Sequence, residues 1–177
     1  MPAGSGRWGR WSGVLAGLPY DVQAVMFARL QFYNLDPAQV YRLPLLVTTP
    51  RLALAVGGVA NSSFTFQSLT AVYGISQQFD NETLTGATGL TTPCYPSELQ
   101  LQIQFNEGAT TWLGSIQEPC RMGTIGDANH VTRVDPVIAA RNDVWNVQIT
   151  ADATLANAVF DTVALHGVKF YNASGAI

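Results

Sequence analysis

Eight consecutive residues, Glu98-Leu99-Gln100-Leu101-Gln102-Ile103-Gln104-Phe105, alternate polar and apolar without a break. A period of two belongs to an extended strand, whose successive side chains leave opposite faces. Leu99, Leu101, Ile103 and Phe105 are therefore expected on a core, with Glu98 and the glutamines facing water. A helix cannot satisfy that pattern. Asn106-Glu107-Gly108-Ala109 suits a turn, and Thr110–Ile116 suits the returning strand of a hairpin.

The remaining sequence points the same way. One lysine and four glutamates stand against sixteen threonines and sixteen valines. Charged helix formers are scarce and β-branched residues abound, which favours strands. Leu45–Thr48 and Arg51–Val56 flank Pro50, and Phe64–Gln67, Ala71–Ile75 and His130–Val134 read as further strands. Asp143–Thr150 places Trp145, Val147 and Ile149 on one face. Ala158–Tyr171 reads as a long strand bent near His166-Gly167, where glycine permits a bulge. About eight to ten strands at this spacing predict an all-β fold, an antiparallel two-sheet sandwich, most simply a single jelly roll.

One domain with an extension is expected: an N-terminal arm over residues 1–19 and a jelly-roll domain over 20–177. The arm holds five glycines and two prolines, which argue for irregular chain. Arg7, Trp8, Arg10 and Trp11 stand out in it. Tryptophan suits a polar–apolar boundary and arginine suits phosphates or carboxylates. These four are expected on an arm that meets a neighbouring subunit or a membrane surface. Asp21 suits the cap of a short helix over Val22–Arg29. The same stretch runs into Leu30-Gln31-Phe32-Tyr33, which reads as strand, so the pattern supports both.

Thr, Gln, Asn and Ser together number 45, against 21 charged residues. Most of the wet surface must then be neutral and polar. Such a surface gives up charge repulsion, but a neighbour can cover it without stripping water from ions. The bias fits a protein much of whose surface lies in subunit contacts. With nine basic residues, no basic run and a net charge of −3, a nucleic-acid-tracking protein is not expected. The longest apolar run, Leu52–Ala60, is too short to span a bilayer, and Val14–Leu18 is too brief for a secretory leader. Synthesis in a cytoplasm is expected.

A catalytic constellation is missing from the linear sequence. There is no nucleophile elbow, HExxH, P-loop or dinucleotide glycine motif. His130 closes an Asp127-Ala128-Asn129-His130 run that lacks a second ligand cluster, and His166 sits beside glycine in an apolar strand. Neither an enzyme nor a cofactor is expected.

Cys94 and Cys120 each follow a proline. If Phe105 opposes Thr110, paired residue numbers in the hairpin sum to 215, and the cysteines sum to 214. They fall near each other at the open end of that hairpin. A bridge between them is worth about 3–4 kcal/mol in the loop-entropy model. Two free thiols are the alternative, favoured by cytoplasmic synthesis.

With its Trp/Arg arm, polar loops and closing Phe160–Tyr171 strand, the chain resembles the small single-jelly-roll major capsid proteins of tailless icosahedral bacteriophages with an internal membrane, the sphaerolipovirus-like branch. The resemblance implies a virion structural protein that forms dimers, pairs with a second major capsid protein in an icosahedral shell, and has an inner end near the internal viral membrane. It carries no catalytic residues. A carbohydrate- or receptor-binding jelly roll, with Tyr95 and Trp112 stacking on sugars, is the alternative reading. A cupin or hydrolase jelly roll would need clustered histidines or carboxylates.

Overall fold

The computed structural model describes residues 5–80, 99–104, 111–116, 131–151 and 159–177. The chain is mostly β. Among the described residues, ten strands follow two α-helices in sequence: α1 (Ser5–Leu15), α2 (Tyr20–Phe32), β1 (Val40–Thr48), β2 (Leu52–Leu54), β3 (Val59–Thr65), β4 (Thr70–Asp80), β5 (Leu99–Gln104), β6 (Thr111–Ile116), β7 (Thr132–Ala139), β8 (Val144–Ala151), β9 (Val159–Asn172) and β10 (Gly175–Ala176). One antiparallel sheet runs β1-β9-β4-β7, with β2 and β10 also pairing β9; the other runs β3-β8-β5-β6.

One buried cluster draws on residues of both sheets. Leu45, Val72, Ile75, Val163 and Leu165 come from the first sheet, and Phe64, Trp145, Val147 and Ile149 from the second. The expected face of β8 is buried as its alternation requires, with Trp145 1%, Val147 1% and Ile149 0% exposed. The Phe66 ring meets Trp145 edge-on at 4.7 Å.

The β5–β6 hairpin matches its expected register at one end and slips at the other. Gln104 pairs Thr111 on the constant 215, whereas Ile103 pairs Leu113 and Leu101 pairs Ile116 across irregular steps. The turn 105–110, Cys94 and Cys120 lie outside the described residues, as do the long polar loops and His130.

The irregularity expected at His166-Gly167 in β9 falls instead on its partner strand β4. Val72 pairs Gly167 and Gly74 pairs His166, so Tyr73 is an extra residue in β4. A bulge of this kind bends the strand and sharpens its twist. Both outer strands of the first sheet carry a proline, Pro44 in β1 and Pro136 in β7. Proline cannot donate to a ladder, so it discourages another chain from adding there.

The arm differs from its expected irregular form. Ser5–Leu15 is a helix. Two mid-helix glycines, Gly9 and Gly13, cost roughly 2 kcal/mol together relative to alanine. Burial of Trp11 (4% exposed) and Leu15 (1%), one turn apart on one face, outweighs this at roughly 1.5–3 kcal/mol each. Gly17 then takes a positive φ of 75°, and the Arg42 guanidinium on β1 donates to the Ala16 carbonyl at the helix end.

The α2 ambiguity also resolves as helix. Val22, Met26 and Leu30, four apart, are each 0% exposed. They pack with Trp11, Leu15, Leu18, Ala71, Val168 and Phe170 in a second cluster, which lies on the face of the first sheet away from the shared core. Asn34 closes the helix at a positive φ of 49°.

A Cβ added at Gly9 or Gly13 meets nothing within 4 Å. Gly9→Ala and Gly13→Ala are each expected to stabilise the protein by about 0.5–1 kcal/mol. Thermal melting of the two variants checks this.

Candidate functional site

Among the described residues, no group of three or more His, Cys, Asp and Glu is placed to hold a metal ion. No helix there is long and apolar enough to cross a membrane. His166 Nε2 shares a 2.7 Å hydrogen bond with Ser76 Oγ, across the β9–β4 pairing. Ser76 is 0% exposed, so a substrate cannot reach its hydroxyl. The pair ties two strands together, as expected for a hydrogen-bonded histidine in an apolar strand.

Burial holds the His166 pKa below the ordinary histidine value of 6.5. The unfolded chain then binds its proton first as pH falls, so acidification through this range disfavours the folded state. The melting temperature is expected to drop between about pH 7.5 and about pH 5.5, and His166→Gln is expected to flatten that dependence. A melting series of both proteins against pH is the check.

Among the described residues, charged and exposed apolar side chains gather on the helical layer. Between α1 and α2 opens a cleft of about 250 Å³, lined by Arg10, Trp11, Gln31, Asn34, Leu35 and Pro37. A second groove, of about 480 Å³, is lined by Val25, Ala28, Arg29, Phe32 and Ile138. Its rim is strongly apolar and open: Phe32 is 77% exposed, and Tyr20, at the other end of α2, is 81% exposed. The Arg29 guanidinium lies over the Phe32 ring at 5.7 Å and the Tyr33 ring at 5.6 Å. Arg133 on β7 donates to the Asp21 carboxylate, and this contact is the main reason that carboxylate sits below its usual pKa. Both side chains remain about half exposed, so the pair contributes little to stability.

Charge is uneven across the molecule. Residues 5–33 hold Arg7, Arg10 and Arg29 against Asp21 alone, in a chain of net charge −3. Cations and aromatic rings without lysine or glutamate are what protein interfaces favour at their centres.

The four arm residues do not act as one set. Arg10 is exposed and lines the cleft. Trp11, expected to face outward, is instead buried against its own domain, because α1 turns its indole toward Leu15 and Leu18. Arg7 and Trp8 fall on the first turn of α1, and their side chains lie outside the described set. Tyr95 lies outside it too, and Trp112 is placed only as a position on β6.

The exposed face of α2 escaped the sequence reading. Its signal is present: Val22, Met26 and Leu30 form one apolar row, and Val25, Ala28 and Phe32 form a second on the other side. A helix apolar on all sides is normally a buried one. No protein-family model matches the chain, and no curated protein matches it at a significant level.

Proposed function

We propose that the chain is a single-jelly-roll virion subunit that builds an icosahedral shell by self-association and by pairing with a second coat protein. The fold reading draws on nested pairing. The first strand pairs the long penultimate one and pairing proceeds inward, β1 with β9, β3 with β8, β4 with β7 and β5 with β6. A long hairpin wound on itself has this order, and two Greek keys wound into a double sheet make a jelly roll. The shared apolar cluster supports two stacked sheets.

The observation that carries the functional reading is the open apolar face of α2 on a chain with so little charge. Further exposed apolar side chains on β1, Tyr41 at 49%, Leu43 at 43% and Leu46 at 60%, add to the surface that a neighbour would cover. No catalytic role is assigned to any residue. The inner side of such a shell would face the internal membrane, and the arginine-bearing helical layer suits that side.

Mass spectrometry of density-purified particles from cells carrying the gene tests the proposal. The chain is expected there in many copies, beside a second abundant coat protein. A chain found only in the non-sedimenting fraction contradicts it.

One observation favours the alternative of a sugar-binding module. Tyr41 stacks on Tyr171 at 5.6 Å with planes 15° apart, and the Lys169 ammonium lies 5.9 Å from the Tyr171 ring. Flat paired rings with a nearby donor suit a sugar face. A glycan array showing binding that Tyr41→Ala abolishes would promote that reading.

A further inference from the structure

We infer that α1 is a strap that opens as one unit: residues 5–18 leave their seat about Gly17 while α2 and the sheets stay folded, and the open form turns Trp11 outward. The device belongs to the single chain and does not depend on the assembly reading.

Away from its seat α1 has little reason to be a helix. Its 11 residues include Gly6, Gly9 and Gly13, with no acidic residue in the first turn and no basic one in the last. The segment lacks both helix propensity and the charges that complement a helix dipole. The Ser12 hydroxyl donates back to the Gly9 carbonyl at 2.8 Å, a bond that weakens a helix slightly. By contrast, α2 has Asp21 in its first turn and Arg29 in its last. Packing does not call for the glycines, since a Cβ at Gly9 or Gly13 meets nothing within 4 Å. Their effect falls on the free arm, which is too short and too rich in glycine to hold a helix alone. Docking and helix formation are then one step, and so are undocking and melting.

The closed form is lightly fastened. One row, Trp11, Leu15 and Leu18, holds the arm down, while Gly9, Arg10, Ser12 and Gly13 are exposed. The cleft of about 250 Å³ beside Trp11, lined also by Gln31 and Asn34, leaves the bed of that anchor incompletely packed. The hinge is short, with Gly17 at a φ of 75° and Pro19 at the start of α2. The Arg42 guanidinium fastens it through the Ala16 carbonyl, yet Arg42 Nη1 is buried with no hydrogen-bond partner among the described residues. That unsatisfied donor is a cost of the closed form alone, and opening returns it to water. Segments with so few buried contacts lie at the low-stability end of a fold.

Opening changes what the arm offers. Arg7, Trp8, Arg10 and Trp11 lie together in sequence, with no carboxylate before Asp21. Closed, Trp11 is 4% exposed. Open, its indole joins a cationic, aromatic segment of the kind that suits a polar–apolar boundary.

Amide-resolved hydrogen exchange of the full chain tests the strap. The hydrogen-bonded amides of residues 9–16 are expected to share one protection factor, about a hundredfold or more below that of β4 and β9, and to respond little to added denaturant. Exchange in β4 and β9 should accelerate steeply with denaturant. A Gly9→Ala/Gly13→Ala double variant is expected to raise α1 protection about five- to thirtyfold. Leu15→Ala, which removes an anchor, should lower it. Protection in α1 equal to that of β9, with the same denaturant response, overturns the strap. So does protection that rises gradually from Ser5 inward, which is fraying of one end, or an α1 with no protection at all. Unchanged α1 protection in the double variant overturns it as well.

Discussion

Trp145→Ala is expected to lower stability by about 3–5 kcal/mol, the range for truncating a large buried aromatic. The side chain is 1% exposed and belongs to the buried cluster that draws on both sheets. Its loss removes the edge contact with Phe66 and leaves a void lined by both sheets. Neighbouring backbone is held by the β3–β8 and β5–β8 ladders, so collapse into the void is limited. At about 2–4 °C per kcal/mol for a domain of this size, the melting temperature should fall by roughly 10 °C. Trp145→Phe keeps a ring in place and should fall by less. Differential scanning calorimetry distinguishes the two. A loss below about 1 kcal/mol would mean that the sheets do not share this core.

Gly167→Ala is the second large effect, and its sign is opposite to that of the α1 glycines. A Cβ at Gly167 would stand 2.1 Å from the Ala71 carbonyl oxygen and 3.1 Å from the Val72 Cα. Both obstacles are backbone, held in register by β9 on one side and β7 on the other. They cannot swing away as a side chain can. One methyl group must therefore push two strands apart beside the Tyr73 bulge, at about 3 kcal/mol or more. Low soluble yield or a melting temperature reduced by roughly 6–12 °C is expected. An unchanged melt would show that β4 and β9 do not approach this closely.

These two positions mark what was legible in the sequence. Trp145 belongs to a strand whose alternation fixes its buried face, and Gly167 interrupts the longest apolar strand. Period two and a lone glycine are local signals, so they survive reading one residue at a time. The register near Gln104 and Thr111 was legible for the same reason, since a hairpin is closed by its own turn. Strand order was not, because β1 meets β9 across most of the chain and local pattern says nothing of partners.

The helical layer was obscured by opposite causes. In α1 the glycines spoke against a helix, and burial of Trp11 and Leu15, a tertiary effect, overrode them. In α2 apolar residues occur on every side, which blurs the difference between strand and helix. The open face of α2 is a property of what the fold leaves uncovered. Composition gave only its shadow, a surface poor in charge.

That shadow can be tested directly. Sedimentation velocity over a rising concentration series, with electron microscopy of the same samples, measures whether the neutral surface brings chains together. Discrete oligomers that grow with concentration, and closed shells when the second coat protein is co-expressed, are the predicted result. A monomer at every concentration that also fails to enter particles beside its co-expressed companion would contradict the account.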